Sequence, residues 1–550
     1  MPQVVTAWIR EHKKDFFVLL FFVLVSSVSV LYSLSLPYVV NGDTYIVLLA
    51  TKTETDIGYP DRDILQKMDF RPYLYPDVLE FFNEHFSLQD TTYILLFILV
   101  LCTGFSAYAA LRMLDFSRVV SVMVSLIALF PRASIGSEIW GVFTYGEVLG
   151  RTFGLPVLWL LSAWFIRRKY DKKTLWPVFF VGGLAVYIHP VSIIFFSGIL
   201  FLIQLYYLVT EKKYTEGLKD FWLSILAFCA SASFLLVKIL SSTSQISQGK
   251  SGAVSVSGAE YAEAILSRMR WNYPPTSTLW LRHVVIVSFL FILAVLWTWY
   301  RIYKKKDKET YTLYREIFNF CVPLIVLSVF LSVFLPYFQM WLIREYGWAL
   351  VLQQESRIFK YYYLALYFLF AVALALFLKR YRIKKYTLVP IVIIGIISSS
   401  FGLEWFEFLV GYRNYSEEMI PVVFQKKNFE NEAVRYAEIC RQAEKVGVKE
   451  NDLVISDDFP LRYYCKMNLF ITQEEGMSYM MSGKNEMVWW FREYREQALA
   501  LNRTPDVLLR FAERTKAQYA LIPKDSPLVK EFDDRKMVVS HGETYSIIKF

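Results

Sequence analysis

Long apolar runs separated by short charged tracts dominate the chain from its N-terminus to about residue 403. The first run, Phe16 to Leu36, follows the basic segment Arg10 to Lys14. It is longer than the roughly 7–15 apolar residues of a signal-peptide core, and a membrane helix needs roughly 17–25, so an uncleaved spanning helix is expected. Further runs lie between Tyr93 and Phe401, among them Val284 to Tyr303 and Leu388 to Phe401. Together they predict about eleven transmembrane helices, the pattern of a polytopic α-helical membrane protein.

The connections alternate in character. Arg10 to Lys14, Arg112 with Arg118, the tract from Arg167, the tract from Glu211, the tract from Arg301 and the tract from Lys379 are strongly basic and fall at every second connection. Basic connections stay in the cytoplasm, so the others are expected outside. These are the acidic first loop (residues 41–92), Pro131 to Arg151, the His189-Pro190 turn, Ser241 to His283, Pro336 to Lys360 and everything after Phe401. The first loop mixes turn signals with short amphipathic stretches and is expected to lie along the membrane surface.

From about Glu404 the apolar runs give way to the mixed pattern of a soluble domain. Asn431 to Val446 has helical periodicity, Asp452 to Ser456 and Leu469 to Thr472 read as short strands, and Thr504 with Pro505 opens a helix to Lys516. A buried-strand pattern, QYALIP, and two further strand patterns close the chain. The expected division is a transmembrane part, residues 1–403, and a small extracytoplasmic α/β domain, residues 404–550.

Composition sharpens this. Of 550 residues, 55% are hydrophobic and 18% aromatic, too apolar for an ordinary soluble enzyme. The net charge of +9 comes from loop tracts that orient membrane helices, and nucleic acid is not expected as a partner. Cys102, Cys229 and Cys321 fall in apolar runs. Cys440 and Cys465 lie in polar sequence, open to pairing in an oxidising compartment or to remaining thiols.

Titratable residues are scarce within the spans, and the exceptions gather at the ends expected outside. Asp43 stands just beyond the first span, in NGDTY. A carboxylate there suits a general base for an attacking hydroxyl, and also an ordinary turn or helix cap. Arg357, Arg151 and Arg344 offer planar forks of donors for phosphate oxygens, although arginines at helix ends mostly snorkel to headgroups. His189 is a further donor, in a turn of a kind that is more often structural. Asp56, Asp61 and Asp63 read as a solvated surface, and Glu147 as an acid at an external end or the i,i+4 ion-pair partner of Arg151.

The cytoplasmic N-terminus, NGDTY after the first span, the long acidic first loop, the external His-Pro turn, the Gln353/Gln354-to-Arg357 segment and the C-terminal α/β domain together resemble the GT-C class of integral membrane glycosyltransferases. The resemblance implies transfer of one sugar, with inversion, from a polyprenyl-phosphate carrier to a hydroxyl on a lipid, polysaccharide or protein acceptor. It places the catalytic acid of the first external loop at Asp43 and implies a second acid, for which Asp56, Asp61, Asp63 and Glu147 are the candidates. Trp489-Trp490 is followed by Phe491 and Arg492, unlike the WWDYG-type motif of oligosaccharyltransferases, so that subfamily's metal requirement is not carried over. No cofactor is required on this expectation, and a divalent metal is allowed but not called for. Compact loops favour a bacterial inner membrane. A transporter or flippase of lipid-linked saccharides would share the arginines and spans but needs a polar path through the membrane. A non-catalytic scaffold with an external binding domain is the remaining alternative.

Overall fold

The computed structural model describes residues 2–35, 74–134, 138–144, 148–211, 214–247, 256–269, 309–346, 355–381, 435–449, 451–458, 460–473 and 484–550, with positions 390, 393, 475, 476 and 479. Its elements are α1 (Pro2–Leu34), α2 (Leu74–Asn83), α3 (Leu88–Met113), α4 (Arg118–Leu129), the strands β1 (Arg132–Ser134) and β2 (Glu138–Trp140), then α5 (Leu155–Tyr170), α6 (Trp176–Ala185), α7 (Pro190–Glu211), α8 (Tyr214–Ser247), α9 (Gly258–Met269), α10 (Glu309–Tyr346) and α11 (Lys360–Tyr381). Among the described residues five helical segments are long and apolar enough to cross a membrane: Asp15–Leu34, Leu88–Met113, Pro190–Glu211, Thr312–Tyr346 and Arg357–Lys379. Helices α4 and α6 are shorter apolar helices. The spans expected at 284–303 and, apart from positions 390 and 393, at 388–401 lie outside the described residues.

An apolar medium offers no partners to backbone N–H and C=O groups, which is why helices carry the chain here. Within the bundle α11 is central: 78% of its apolar window is buried, against 22% for α1 and 33% for α10. Leu364, Ala365, Phe368, Ala371 and Val372 of α11 pack into one core with α3, α4, α5, α6, α7 and α10. Helix α3 starts at Leu88 rather than at the expected Tyr93, because Ser87 caps it, its hydroxyl accepting from the Asp90 backbone N–H at 3.1 Å.

The charged connections gather at one end of the bundle. Arg118 holds Asp15 at 2.8 Å, Arg167 reaches Asp115 at 2.6 Å, Lys169 pairs with Glu211 at 2.5 Å, and Phe116 stacks on Tyr314 at the start of α10. At the other end Ser29 donates to the Phe143 carbonyl at 2.6 Å, the Leu74 N–H to the Tyr187 carbonyl at 2.7 Å, and Tyr75 to the Val148 carbonyl at 3.3 Å. The basic connections that follow α3, α5 and α7 thus carry the ion pairs of the first end.

The connection from Pro131 to Arg151 contains the antiparallel pair β1–β2. Gly141, with φ +98°, turns the chain out of β2 against α4; a β-carbon there would stand 2.7 Å from the Phe130 carbonyl oxygen.

The C-terminal part holds a helical stretch over 435–445, β3 (Leu453–Ile455), the short α12 (Leu461–Tyr464), β4 (Asn468–Leu469), α13 (Lys484–Asn502), α14 (Pro505–Thr515), β5 (Tyr519–Pro523), α15 (Pro527–Asp534), β6 (Val538–His541) and β7 (Tyr545–Lys549). The sheet order is β4-β3-β5-β7-β6, with β3, β4 and β5 parallel and the last two strands antiparallel. Thr504 takes the cap position of α14 but makes no side-chain cap bond, and Lys516 ends the helix in the left-handed region at φ 61°. Arg462 and Glu475, each side chain 1% exposed, pair at 2.6 Å beneath the sheet edge. Breaking a pair buried this deeply costs about 3–5 kcal/mol. Cys440 and Cys465 form a disulfide, S–S 2.07 Å, which closes the question that the sequence left open.

Helix α13 docks the C-terminal part onto the bundle. Met487, Val488, Trp490 and Phe491 pack against Tyr261, Ala262 and Ile265 of α9 and Met340 and Ile343 of α10. At the rim Arg492 holds Glu260 at 2.6 Å and Arg495 approaches Glu263 at 3.6 Å. The Arg492 hydrogen bond keeps the Glu260 carboxyl below its ordinary range. A depressed carboxylate contributes its stabilisation above the unfolded value, about 4.3, and loses it as pH falls through the lower folded value. Glu260→Gln is therefore expected to speed amide hydrogen exchange across 258–269 at pH 7, after correction for intrinsic rates. That difference from the wild type should vanish below the ordinary glutamate range; equal exchange at pH 7 would contradict the contact.

Candidate functional site

Helix α7 begins at Pro190, directly after His189, because proline suits the first turn of a helix and needs no N–H there. The turn brings Ser192 back under the imidazole: its backbone N–H donates to His189 Nδ1 at 3.2 Å and its Oγ lies 2.8 Å from the same nitrogen. From α11, Lys360 Nζ donates to Ser192 Oγ at 2.5 Å, and the Tyr361 hydroxyl donates to the Ser192 carbonyl. An ammonium can only donate, so the Ser192 hydroxyl gives its own proton to Nδ1. With Nδ1 an acceptor, the neutral imidazole carries its proton on Nε2, a donor by geometry.

Lys360 is 2% exposed, Ser192 1%, and His189 and Arg357 9% each. Arg357 sits in the 3-10 turn Glu355–Phe359 that leads directly into α11, one turn before Lys360. This turn packs against both α7 and α10. Arg151 precedes the 3-10 turn Thr152–Gly154, which is closed by Thr152 donating to the Leu149 carbonyl at 2.7 Å. The place a β-carbon would take on Gly154 lies 3.6 Å from Ser192 Cβ, so this turn and the His189 turn are neighbours. The same end of the bundle buries Arg132, 2% exposed, whose Nε donates to the Tyr367 hydroxyl at 2.6 Å inside a surround of Trp140 and Trp159.

The structure thus draws together the elements carrying His189, Arg357 and Arg151. Arg344 is exposed near the end of α10, and its carbonyl faces Gly258 at the start of α9. Asp43, Asp56, Asp61, Asp63 and Glu147 lie outside the described residues. Ser192, Lys360, Tyr361 and Arg132 did not stand out in the sequence. A serine three residues after a histidine is common in turns, and a lysine opening an apolar run reads as a snorkelling residue. Among the described residues no group of three or more His, Cys, Asp or Glu side chains is placed to hold a metal ion.

Chemically the cluster is a set of buried donors at one end of an apolar bundle: guanidinium, ammonium, imidazole N–H and phenol. Such donors suit a group that is rich in acceptor oxygens and negatively charged. No protein-family model matches the chain, and no curated protein is similar enough to match it.

The Ser192 bridge makes a checkable demand. A double-mutant cycle of Ser192→Ala and Lys360→Met, read by thermal unfolding in detergent, is expected to return a coupling of about 0.5–3 kcal/mol. Additive losses would mean that the two side chains do not support one another.

Proposed function

We propose that the protein is a GT-C-type glycosyltransferase that moves one sugar, with inversion, from a polyprenyl-phosphate donor to an acceptor hydroxyl at the extracytoplasmic face. The observation that carries this reading is the buried basic cluster of Arg132, His189, Arg357 and Lys360 at the end of the bundle opposite the charged connections. A lipid phosphate reaches such a place from the membrane, its chain remaining in the apolar phase. Two further observations support the placement. The sorting of the charged connections onto the other end agrees with a cytoplasmic assignment for that end. The Cys440–Cys465 disulfide suits an oxidising compartment for the C-terminal part, as at the outer face of a bacterial inner membrane. The reading includes about eleven spans over residues 1–403 and an external domain over 404–550.

In the proposed reaction Asp43 accepts the proton of the acceptor hydroxyl, whose oxygen bonds to the anomeric carbon from the side opposite the phosphate. The bond from the anomeric carbon to the phosphate oxygen breaks, and its electron pair leaves with the polyprenyl phosphate. Arg357 and Lys360, with His189 and Arg151 in neighbouring turns, offset the charge that develops on that oxygen. The guanidinium and ammonium groups do the work that a metal ion does in related phosphate chemistry, with the imidazole N–H a neutral donor beside them, and no metal is called for. The acceptor is a lipid, polysaccharide or protein hydroxyl.

Asp43→Asn is expected to abolish transfer while leaving folding and donor binding intact, measured as release of polyprenyl phosphate from a panel of polyprenyl-phosphate sugars. Arg357→Ala is expected to lower turnover by about 100-fold or more, the scale of losing one donor to a developing oxyanion. Near-normal release by both variants would sink the assignment.

A further inference from the structure

The residues preferred at a helix N-cap are Asn, Asp, Ser, Thr and Gly. Helix α7 has His189 in that place. The His189 carbonyl accepts the first intrahelical bond, from the Ile193 N–H at 3.2 Å, and its Nδ1 accepts from the N–H of Ser192, the third residue of the helix, at 3.2 Å. The second of these bonds forms only when Nδ1 carries no proton.

The Ser192 hydroxyl closes on the same nitrogen. Its Oγ lies 2.8 Å from Nδ1 and accepts from Lys360 Nζ at 2.5 Å, while the Tyr361 hydroxyl donates to the Ser192 carbonyl. Ser192 is therefore fixed by two residues of α11 as well as by its own helix, and both of its donors meet one ring nitrogen. A proton on Nδ1 would face the Ser192 N–H donor to donor. It would also put a positive charge at a helix N-terminus, where anions are favoured, beside a lysine that is 2% exposed.

Starting the helix does not require an imidazole. Pro190 suits the first turn, and Asn or Ser at 189 would accept from the Ser192 N–H equally well. What histidine adds is a second nitrogen, Nε2, which those residues lack.

We propose that Ser192 is a positioning residue of the transfer site: its two donors hold His189 as a neutral imidazole with the proton on Nε2, so that His189 gives the departing phosphate a hydrogen bond and not a proton. The inference rests on the transferase reading for the identity of that phosphate. No bond to hydrogen breaks at His189 in the step. The phosphate oxygen leaves with its electron pair, and the Nε2–H meets the charge that develops there beside Arg357 and Lys360.

The test uses the full-length protein in detergent at pH 7, labelled with nitrogen-15 at histidine and read by NMR. The His189 signals are identified by their loss in His189→Asn. The wild type is expected to show an unprotonated Nδ1 and a protonated Nε2. Ser192→Ala is expected to populate a second protonation form of His189, and Ser192→Thr, which keeps a hydroxyl, to restore the wild-type pattern. In release of polyprenyl phosphate, Ser192→Ala is expected to lower kcat about 10-fold with KM changed by less than about 2-fold, since the donor acts as charge develops, and Ser192→Thr to recover most of the loss. His189→Asn keeps a capping side chain but has no group at Nε2, and its kcat is expected to fall about 100-fold.

A proton on Nδ1 in the wild type, or an unchanged spectrum or unchanged kcat in Ser192→Ala, overturns the proposal. Should Ser192→Ala unfold, the wild-type spectrum and the kcat of His189→Asn carry the test. Absence of release by the wild type, with the expected spectra, would count against the transferase reading alone.

Discussion

Lys360 and Ser192 meet at 2.5 Å in the buried end of the bundle, and the arrangement around them depends on that bond. An ammonium 2% exposed is tolerated only with acceptors held close by, since removing such a charge from water is expensive. The bond therefore fixes the start of α11 against the start of α7. It also directs the Ser192 proton onto His189 Nδ1 and so leaves the imidazole proton on Nε2. The 3-10 turn bearing Arg357 follows, because it runs straight into α11; the turn after Arg151 follows through the close approach of Gly154 to Ser192.

Around this point the bundle divides its polar groups by end. Asp15, Asp115, Arg118, Arg167, Lys169 and Glu211 pair with one another at the far end, partly in contact with solvent, where ion pairs contribute little stability but mark a common level. Between the two ends α11 supplies a nearly continuous apolar core. Buried basic groups at the near end consequently have a specific local cause in hydrogen bonding.

Part of the frame was legible in the sequence: five helices long and apolar enough to span a membrane fall where long apolar runs were read, because run length reports directly on helices. The soluble strands at 453–455, 519–523 and 545–549 were legible for a similar reason: short buried runs bounded by turns. The β1–β2 pair was not, since three-residue strands carry too little alternation to register, and only Gly141 with its positive φ marks the turn out of them. Helix α13 was hidden by its composition, a Trp-Trp step among charged residues whose apolar face is defined only by the α9 and α10 surfaces it meets. At the candidate site, His189 and Arg357 could be picked out by residue type. Ser192 and Lys360 could not, because their significance lies in a contact across 168 positions of sequence, which no local pattern encodes.

The central claim is that the cluster at the starts of α7 and α11 receives the phosphate of a polyprenyl carrier. A short-chain polyprenyl phosphate bearing a photoreactive group next to the phosphate tests this on the wild-type protein, with labelled peptides identified by mass spectrometry. The account predicts labelling within 187–196 and 355–363, suppressed by excess unmodified polyprenyl phosphate. Labelling confined to other segments, or labelling of these two that excess carrier does not suppress, would contradict it.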